Sequence, residues 1–284
     1  DNYSFILGVS KHGADIRRYM EELQALLIVE KSPELEGDET GRREVQTRIE
    51  FARNALMESV DSAFTTSTWL SDENKSRSCT STQELSNYAS SLCDDVFTAT
   101  PAIVNELINR DYLSTPTSAA RKDLMIRMVT NTREEALGFT GFPPAYALYL
   151  SMLADIHVKG EKGYEFRKSS LPEEEDNYGP LWKATEEFLK ARPMVTGKEL
   201  LDFWSKPPFG LKKGPMPILA LTFYLLNKDN LAVYLAGTFQ PAMTAVTVDE
   251  WLVDPTRIAF RWVDQTKEHT TFLKTLTSEL RSLV

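Results

Sequence analysis

The stretch at residues 207–229, PPFGLKKGPMPILALTFYLLNKD, holds the residues whose types and spacing come nearest to a site of known chemistry. Gly210, Gly214, Lys212 and Lys213 stand just ahead of an apolar run that is long enough for a helix. Glycine-rich loops at helix starts bind phosphate through backbone N–H groups, and a nearby lysine adds positive charge. The stretch therefore raises three alternatives: a phosphate site, a DNA contact, or an element that only packs into a core.

The spacing of this stretch argues against a nucleotide site. A phosphate-binding loop has the pattern GxxxxGK[ST] and follows a strand. Here three residues separate the two glycines, and Pro215 follows the second. The upstream LLDFWSK has helical spacing, and no serine or threonine follows a lysine to hold magnesium. We therefore expect no cofactor to bind this loop.

The apolar run at residues 218–226 bears on the other two alternatives. Nearly every position in it is apolar, which predicts a helix buried on all sides. A DNA recognition helix needs arginine, lysine, asparagine or glutamine on one face, and this one offers only Thr222, Asn227 and Lys228. We expect the central core helix of a small domain, with its glycines relaxing the backbone and its prolines fixing the first turn.

Four basic residues are candidates for contact with a DNA backbone phosphate. Lys212 and Lys213 precede the core helix, and Arg121 and Lys122 lie in the modestly basic predicted helix 118–129. Such contacts position a protein on DNA without reading its sequence. The alternative, which we favour, is that these residues are solvated surface cations.

The segment PAIVNELINRDYLST carries Asn105, Glu106, Asn109 and Arg110 along one side of a predicted helix, 101–110. Glu106 and Arg110 are i, i+4 neighbours that can form an ion pair, and the asparagines can bond an adjacent segment. A catalytic function would need a base and a nucleophile nearby, and none is evident. We expect a structural polar clamp between helices.

Histidine and cysteine are too few and too widely spaced for a convincing metal site. The sequence holds His12, His157, His269, Cys79 and Cys93, with no HxH or HExxH spacing. It also lacks a G-x-S-x-G nucleophile elbow, so we assign no catalytic residue. Because catalytic triads assemble in three dimensions, an unrecognised hydrolase remains a third hypothesis.

The bulk composition limits the classes of partner. The chain has 284 residues, of which 42% are hydrophobic, and a net charge of −9, so any DNA contact must come from a local basic patch. No apolar stretch reaches the roughly 20 residues of a membrane helix, so we expect no membrane partner. Two cysteines are too few for a disulfide framework, which predicts a reduced, cytoplasmic protein.

The periodicity predicts a mainly α fold: a helical bundle with an αα-hairpin, followed by a winged-helix-like α+β module. Strands are predicted at 3–9, at 164–167, in LAVYLAGTFQP around Ala236 and Gly237, and in RIAFRWV. A helix begins at VTVDEWLV, with Thr247 as its cap. The other predicted helices are 15–31, 41–64, 83–97, 101–110 (capped by Thr100), 118–129, 144–156, 180–191, 198–205, 218–226 and 265–284.

These elements suggest three segments. Residues 1–70 hold the N-terminal strand and the long hairpin, 71–170 a helical bundle, and 171–284 the winged-helix-like module with its C-terminal helix. The acidic run at 173–176 lacks calcium-loop spacing and is expected to be an exposed linker. The sequence opens in a strand-like run without methionine, so we expect a fragment of a longer polypeptide whose sheet supplies the partner of strand 3–9.

Three groups of phrases together resemble a known family. They are FILGVSKHGADIRRYMEELQALLIVEK, LCDDVFTATPAIVNELINRDYLSTPTSAARKDLM, and GFPPAYALYL with PPFGLKKGPMPILALTFYLLNKDNLAVYLAGTFQP. The series is similar to the region downstream of the P-loop core in large bacterial phage-defence ATPases of the BREX and DUF499-like type. The resemblance implies a last strand of the ATPase sheet, then a helical region with a winged-helix-like module.

The ATP chemistry of that family does not transfer to this chain, because it contains neither a Walker A nor a Walker B motif. ATP and magnesium would bind elsewhere in the parent polypeptide. The resemblance implies a non-catalytic relay module that contacts other domains of the parent ATPase, partner defence proteins, or DNA. The alternative is a sequence-independent DNA-binding winged-helix domain, although the predicted wing at 231–240 contains no arginine or lysine.

Overall fold

The computed structural model describes residues 6–71, 76–79, 81–172 and 175–263. The chain divides into two compact units, the first ending at Val96 and the second beginning at Phe97. The sequence predicts three segments, with boundaries at other positions. The predicted helix 265–284 and the first residues of the predicted strand 3–9 lie outside the described residues.

The first unit is built on a helical hairpin. Asp38 caps the second hairpin helix by accepting a hydrogen bond from the Gly41 N–H, 2.9 Å away. A single 3₁₀ turn, Pro33–Leu35, lies in the connection between the two helices. The elements of the unit are β1 (Ile6–Val9), α1 (Gly13–Val29), α2 (Glu39–Thr65), β2 (Thr68–Ser71), β3 (Ser76–Ser78) and α3 (Thr82–Val96).

The strands of the first unit form a small antiparallel sheet in the order β1-β2-β3. Val9 of β1 lies opposite Thr68 of β2, so the predicted first strand finds its partner inside this chain. The polar residues between α2 and α3 contribute both β2 and β3. Strand β1 therefore lies at one edge of the described sheet.

The first unit buries little apolar surface in its described part. The buried hydrophobic residues there are Ile49, Ala52 and Ala63 of α2, with Cys79 and Tyr88. Helix α1 has no buried residue among its 17. Since helices in proteins gain most of their stability from packing, this hairpin is only thinly covered by its own unit.

The second unit is a mostly helical assembly with two further antiparallel sheets. A 3₁₀ turn, Glu135–Gly138, follows its first helix. The elements of the unit are α4 (Thr115–Thr130), α5 (Pro144–Met152), β4 (His157–Gly160), β5 (Gly163–Phe166), α6 (Gly179–Lys190), β6 (Val195–Thr196), α7 (Gly197–Trp204), α8 (Met216–Leu226), β7 (Leu231–Leu235), β8 (Thr238–Gln240), α9 (Ala245–Val253) and β9 (Ile258–Trp262).

The larger sheet has the order β6-β9-β7-β8 and is antiparallel throughout. Alternate residues of its central strands point into the core, as the period of two requires: Leu231, Val233, Ile258 and Phe260 are all buried. The β7–β8 turn is the predicted one. Ala236 and Gly237 both have positive φ, 48° and 80°, which two-residue hairpins of this handedness need.

Helix α8 is the centre of the second unit, as the sequence predicts. Every residue from Met216 to Tyr224 is buried. The Thr222 hydroxyl donates to the carbonyl of Ile218, 2.8 Å away, so its one polar side chain is satisfied within the helix. The ring of Phe223 packs on Trp182 of α6 with centroids 5.7 Å apart.

Two predicted helix features are wrong. Residues 101–105 are irregular and 106–110 form turns and bends, because side chains take backbone groups that a helix would use. Asn105 Oδ1 accepts from the N–H groups of Leu107 and Ile108. The cap of α9 is Thr244, whose hydroxyl accepts from the Thr247 N–H at 3.3 Å; Thr247 is the third helical residue.

The fold is therefore mainly α with small antiparallel sheets. Helix α5 ends at Met152, four residues before its predicted end, and the strand β4 that follows it was not predicted. Within the described residues, no helix combines the length and the apolarity needed to cross a membrane.

Candidate functional site

Residues 207–214, here called the lysine loop, connect α7 to α8. Their backbone folds back onto the end of α7: the N–H groups of Phe209 and Gly210 donate to the carbonyl of Lys206, at 3.0 and 3.1 Å. The side chains of Phe209 and Leu211 are buried. Phe209 and Leu211 thus anchor the loop in the core, and Lys212 and Lys213 directly follow Leu211.

Gly210 allows the loop to turn under an aromatic ring. Its φ is +58°, a left-handed value that glycine adopts without strain. A Cβ atom at this position would lie 2.5 Å from the ring of Phe97. The preceding residues continue this contact, because the Ala99 N–H donates to the carbonyl of Pro208 and the Thr100 hydroxyl to that of Phe209. Gly210 is therefore explained by packing.

Gly214 is held even more tightly. Its N–H donates to the carbonyl of Arg110 at 2.8 Å. A Cβ atom there would lie 1.9 Å from the carbonyl oxygen of Ile108 and 2.7 Å from that of Arg110. Two backbones therefore approach at a distance that only glycine permits. Both glycines of the phosphate-loop lookalike serve contacts with residues 97–111.

The carboxylate of Asp111 interacts with both lysines of the loop. Its Oδ1 accepts from the backbone N–H of Lys213 at 3.2 Å, and its Oδ2 lies 3.7 Å from the Lys212 ammonium. The side chain of Lys212 is half exposed, so this pair is solvent-screened and contributes little to stability. Lys213 is exposed, and its ammonium group forms no ion pair with any described residue.

The start of α8 cannot bind an anion in the manner of a phosphate loop. Such a site needs free N–H groups pointing outward from the first helical turn. Here Pro215 and Pro217 have no N–H, and Met216, Pro217 and Ile218 are buried. The residues at this helix start are explained by packing, and the absence of a nucleotide from the loop stays a prediction.

The other two basic candidates lie on α4 and bond to different parts of the unit. Arg121 Nη1 donates to the carbonyl of Gly214 at 3.2 Å, and burial lowers the pKa of this guanidinium. Lys122 Nζ lies 2.9 Å from Asp249 Oδ1 on α9. Arg121 thus lies near Gly214, as Lys212 and Lys213 do, whereas Lys122 faces α9.

The four predicted clamp residues line one shallow surface depression of about 690 Å³. Asn105 Nδ2 donates to Ser151 Oγ on α5 at 3.0 Å, so this residue does link its segment to a helix. Arg110 Nε donates to the backbone carbonyl of Glu106 rather than to its carboxylate. Asn109 is exposed. Asn105 thus bonds to α5 from irregular backbone instead of from the predicted helix, and the clamp function of the four residues stays a prediction.

Three residues hold this site together through contacts that the sequence does not predict: Asp111, Asn177, and Thr100, which is predicted only as a helix cap. The side chain of Asn177 bonds both the N–H and the carbonyl of Ala102, at 2.7 and 3.1 Å. Asp111 and Thr100 form hydrogen bonds with residues about a hundred positions away in the chain. Asn177 bonds a residue 75 positions away. No local pattern signals contacts of this range.

His157 is the one buried histidine among the described residues. Its Nε2 donates to the carbonyl of Thr132 at 2.8 Å, and its Nδ1 accepts from the Tyr149 hydroxyl at 3.1 Å. Burial lowers the pKa of His157 and raises that of Tyr149 to about 12. Both ring nitrogens are satisfied within the core, so the ring has no nitrogen free for substrate.

The remaining candidates are dispersed. His12 bonds Thr66 in the first unit, His269 lies outside the described residues, and the free thiols of Cys79 and Cys93 are buried and exposed respectively. In the described part of the chain, no three histidine, cysteine, aspartate or glutamate side chains come together as metal ligands. Of the acidic run, Asp176 Oδ1 accepts from the Tyr178 N–H before α6.

Comparisons of the chain with protein-family models, with curated proteins and with solved structures find no match.

Proposed function

We propose that the chain is a non-catalytic interaction and relay module of a larger bacterial defence ATPase, with a winged-helix-like C-terminal part. In this proposal it couples the state of an ATPase core to DNA or to a partner protein. The ATP site, with its magnesium, belongs to the core and not to this chain.

The observation that carries the proposal is the way the lysine loop joins two segments. The loop contacts residues 97–111 at Gly210, at Gly214 and through the hydrogen bond from Lys213 to Asp111. It thereby connects residues 97–111 to the buried helix α8. A displacement of residues 97–111 would be transmitted directly to the core of the second unit, because closely packed interiors transmit strain. Both glycines of the loop and the backbone N–H of Lys213 are used for this connection, which supports a mechanical function rather than a chemical one.

The order of elements supports the winged-helix-like part of the proposal. A helix, a strand, two helices and a β-hairpin follow one another as α6, β6, α7, α8 and β7–β8. The unit departs from that pattern in one respect, since β9 lies between β6 and β7 in the sheet. With α8 buried on all sides, a base-reading helix in the major groove is not part of the proposal.

The experiment that tests the proposal uses the polypeptide that joins this chain to an ATPase core. Asp111→Ala loosens the loop without altering the core, so basal ATP hydrolysis should stay unchanged while its response to DNA or a partner protein falls. Glu161→Ala, which also removes one carboxylate, at the exposed turn between β4 and β5, is the control. A response that is unchanged in Asp111→Ala, or hydrolysis of ATP by the isolated chain, would contradict the proposal.

A second candidate function is sequence-independent DNA contact, which is favoured by the exposed ammonium of Lys213, since no described residue forms an ion pair with it. The variant Lys212→Glu plus Lys213→Glu should then weaken a salt-dependent gel shift. The slope of log affinity against log salt should fall by about two units. Lys159→Glu plus Lys162→Glu makes the same charge change at two exposed positions of the β4–β5 hairpin and should bind as the wild type does. Equal loss in both variants would indicate only a change in net charge.

A further inference from the structure

Helix α2 of the first unit carries an exposed stripe with mixed chemistry. Arg53, Met57, Asp61 and Phe64 are spaced by four, four and three residues, which places them along one side of a helix. We call these four residues the α2 stripe. All four are exposed, and the buried positions of the helix, Ile49, Ala52 and Ala63, lie at other angles around its axis.

The α2 stripe leaves two large apolar side chains in water. Met57 is 63% exposed and Phe64 64% exposed. The same hairpin buries few residues of its own, and α1 buries none. Large side chains left in water on a thinly covered helix mark a surface that gains stability from a partner.

The charges on the stripe identify the kind of partner. Arg53 lies four residues before Met57, and Asp61 lies four residues after it. Each is about 6 Å along the helix axis from Met57, at 1.5 Å per residue. If a second α2 runs antiparallel across Met57, each Arg53 faces Asp61 of the other copy, and the pair forms twice. Such self-complementarity is what a two-fold interface requires.

Neither charge is matched within the described part of the chain, where neither Arg53 nor Asp61 takes part in an ion pair through its side chain. A uniformly acidic or basic partner would satisfy one of the two charges and oppose the other. A second copy of the same helix satisfies both, with the two Met57 side chains between the charge pairs.

We propose that the α2 stripe is a self-association surface on which two copies of this chain pair their α2 helices antiparallel, with Met57 at the two-fold axis. The inference does not depend on the proposed function, because it rests on the first unit alone. A chain without any link to an ATPase would associate in the same way.

Sedimentation velocity of the purified chain across the micromolar range tests this surface. The wild type should pass from monomer to dimer as concentration rises. Arg53→Asp and Asp61→Arg should each weaken the dimer by about tenfold or more, because each turns two attractive contacts into two repulsive ones. The double variant Arg53→Asp plus Asp61→Arg should restore wild-type association, since the pairs reform with exchanged signs.

A matched pair of substitutions on the same helix controls for general effects. Met57→Glu should prevent dimer formation by placing two carboxylates together at the axis. Phe51→Glu changes an equally exposed phenylalanine, 66% exposed and about 120° around the helix from Met57, and should leave association unchanged. Far-UV circular dichroism confirms that each variant keeps its helices.

Three outcomes would overturn the proposal. One is a chain that stays monomeric at all concentrations tested. Another is a dimer that tolerates both single charge reversals. The third is a double variant that associates no better than the single ones. Because the charge reversals lie on exposed positions, they remain informative even if Met57→Glu disturbs folding.

Discussion

Gly214 shows how much one atom can matter at the candidate site. A Cβ there would meet two backbone carbonyl oxygens, which cannot rotate away as a side chain would. Gly214→Ala should lower the free energy of unfolding by about 2–4 kcal/mol, from overpacking and from loss of the hydrogen bond to Arg110. Urea denaturation followed by tryptophan fluorescence measures this change.

Gly13→Ala is the control for this substitution. Gly13 begins α1 and has an ordinary φ, and a Cβ atom added there would have no heavy atom within 4 Å. Alanine at this position should change stability by less than about 1 kcal/mol. If Gly214→Ala is equally mild, the loop is not held against residues 108–110 as described.

His157 should give the second unit a pH-dependent stability. Its pKa is lowered in the folded state, so below its ordinary value of 6.5 the unfolded chain binds a proton that the folded chain does not. The stabilisation is complete above that value and is lost as pH falls from there towards the folded pKa. Urea denaturation at a series of pH values should show this decline, with a slope of up to about 1.4 kcal/mol per pH unit.

His157→Gln isolates the contribution of this ring from those of other titrating groups. Glutamine keeps a side-chain N–H for the Thr132 carbonyl but does not titrate. The difference between wild type and variant should therefore shrink as pH falls through this range. A constant difference would mean that His157 is not the group responsible.

Individual helix ends can be tested in the same way, and α9 is the clearest case. Thr244 caps it and Thr247 completes the capping box. Thr244→Ala should cost about 1 kcal/mol, measured by thermal unfolding. Val246→Ala, in the same turn and 65% exposed, should be neutral or slightly stabilising. Equal effects of the two would show that the cap contributes nothing.

Elements with a strong periodic signal could be predicted from the sequence, and those decided by distant contacts could not. The hairpin helices and α8 follow from apolar spacing alone, and the β7–β8 turn from a glycine between two strand-like runs. The segment 101–110 has a threonine–proline start that is typical of a helix. The Thr100 hydroxyl instead bonds Phe209, and Asn177 takes both backbone groups of Ala102.

The candidate site was also predictable only where local sequence patterns determine it. Wrong spacing and an all-apolar helix already favour packing over phosphate binding for the lysine loop. The spacing could not reveal the residues that the loop packs against. Asp111, for example, lies 102 residues from Lys213 in the sequence. The three basic residues near Gly214 thus have intramolecular contacts that only the tertiary fold creates.

At the scale of the whole chain, the two units differ in how they are stabilised. One contiguous cluster of buried hydrophobic residues runs from Ile103 to Phe260, and among the described residues it contains none of the first unit. The tryptophans Trp182, Trp204 and Trp251 all lie in that cluster. We therefore expect the fragment 97–284 to fold by itself, with a near-UV circular dichroism signal and one cooperative thermal transition. A fragment without near-UV signal would contradict this expectation.

The fragment 1–96 should behave differently. Among its described residues only five hydrophobic side chains are buried, and two of them are alanines, so a monomer gains little from burial to offset the entropy of ordering the hairpin. If α2 pairs with a second copy, folding and association are linked, and the helical signal of this fragment should rise with its concentration. Met57→Glu should remove that dependence, while Phe51→Glu should keep it. A fragment that is fully helical and monomeric at low concentration would show that the hairpin needs no partner, since its own few contacts would then suffice.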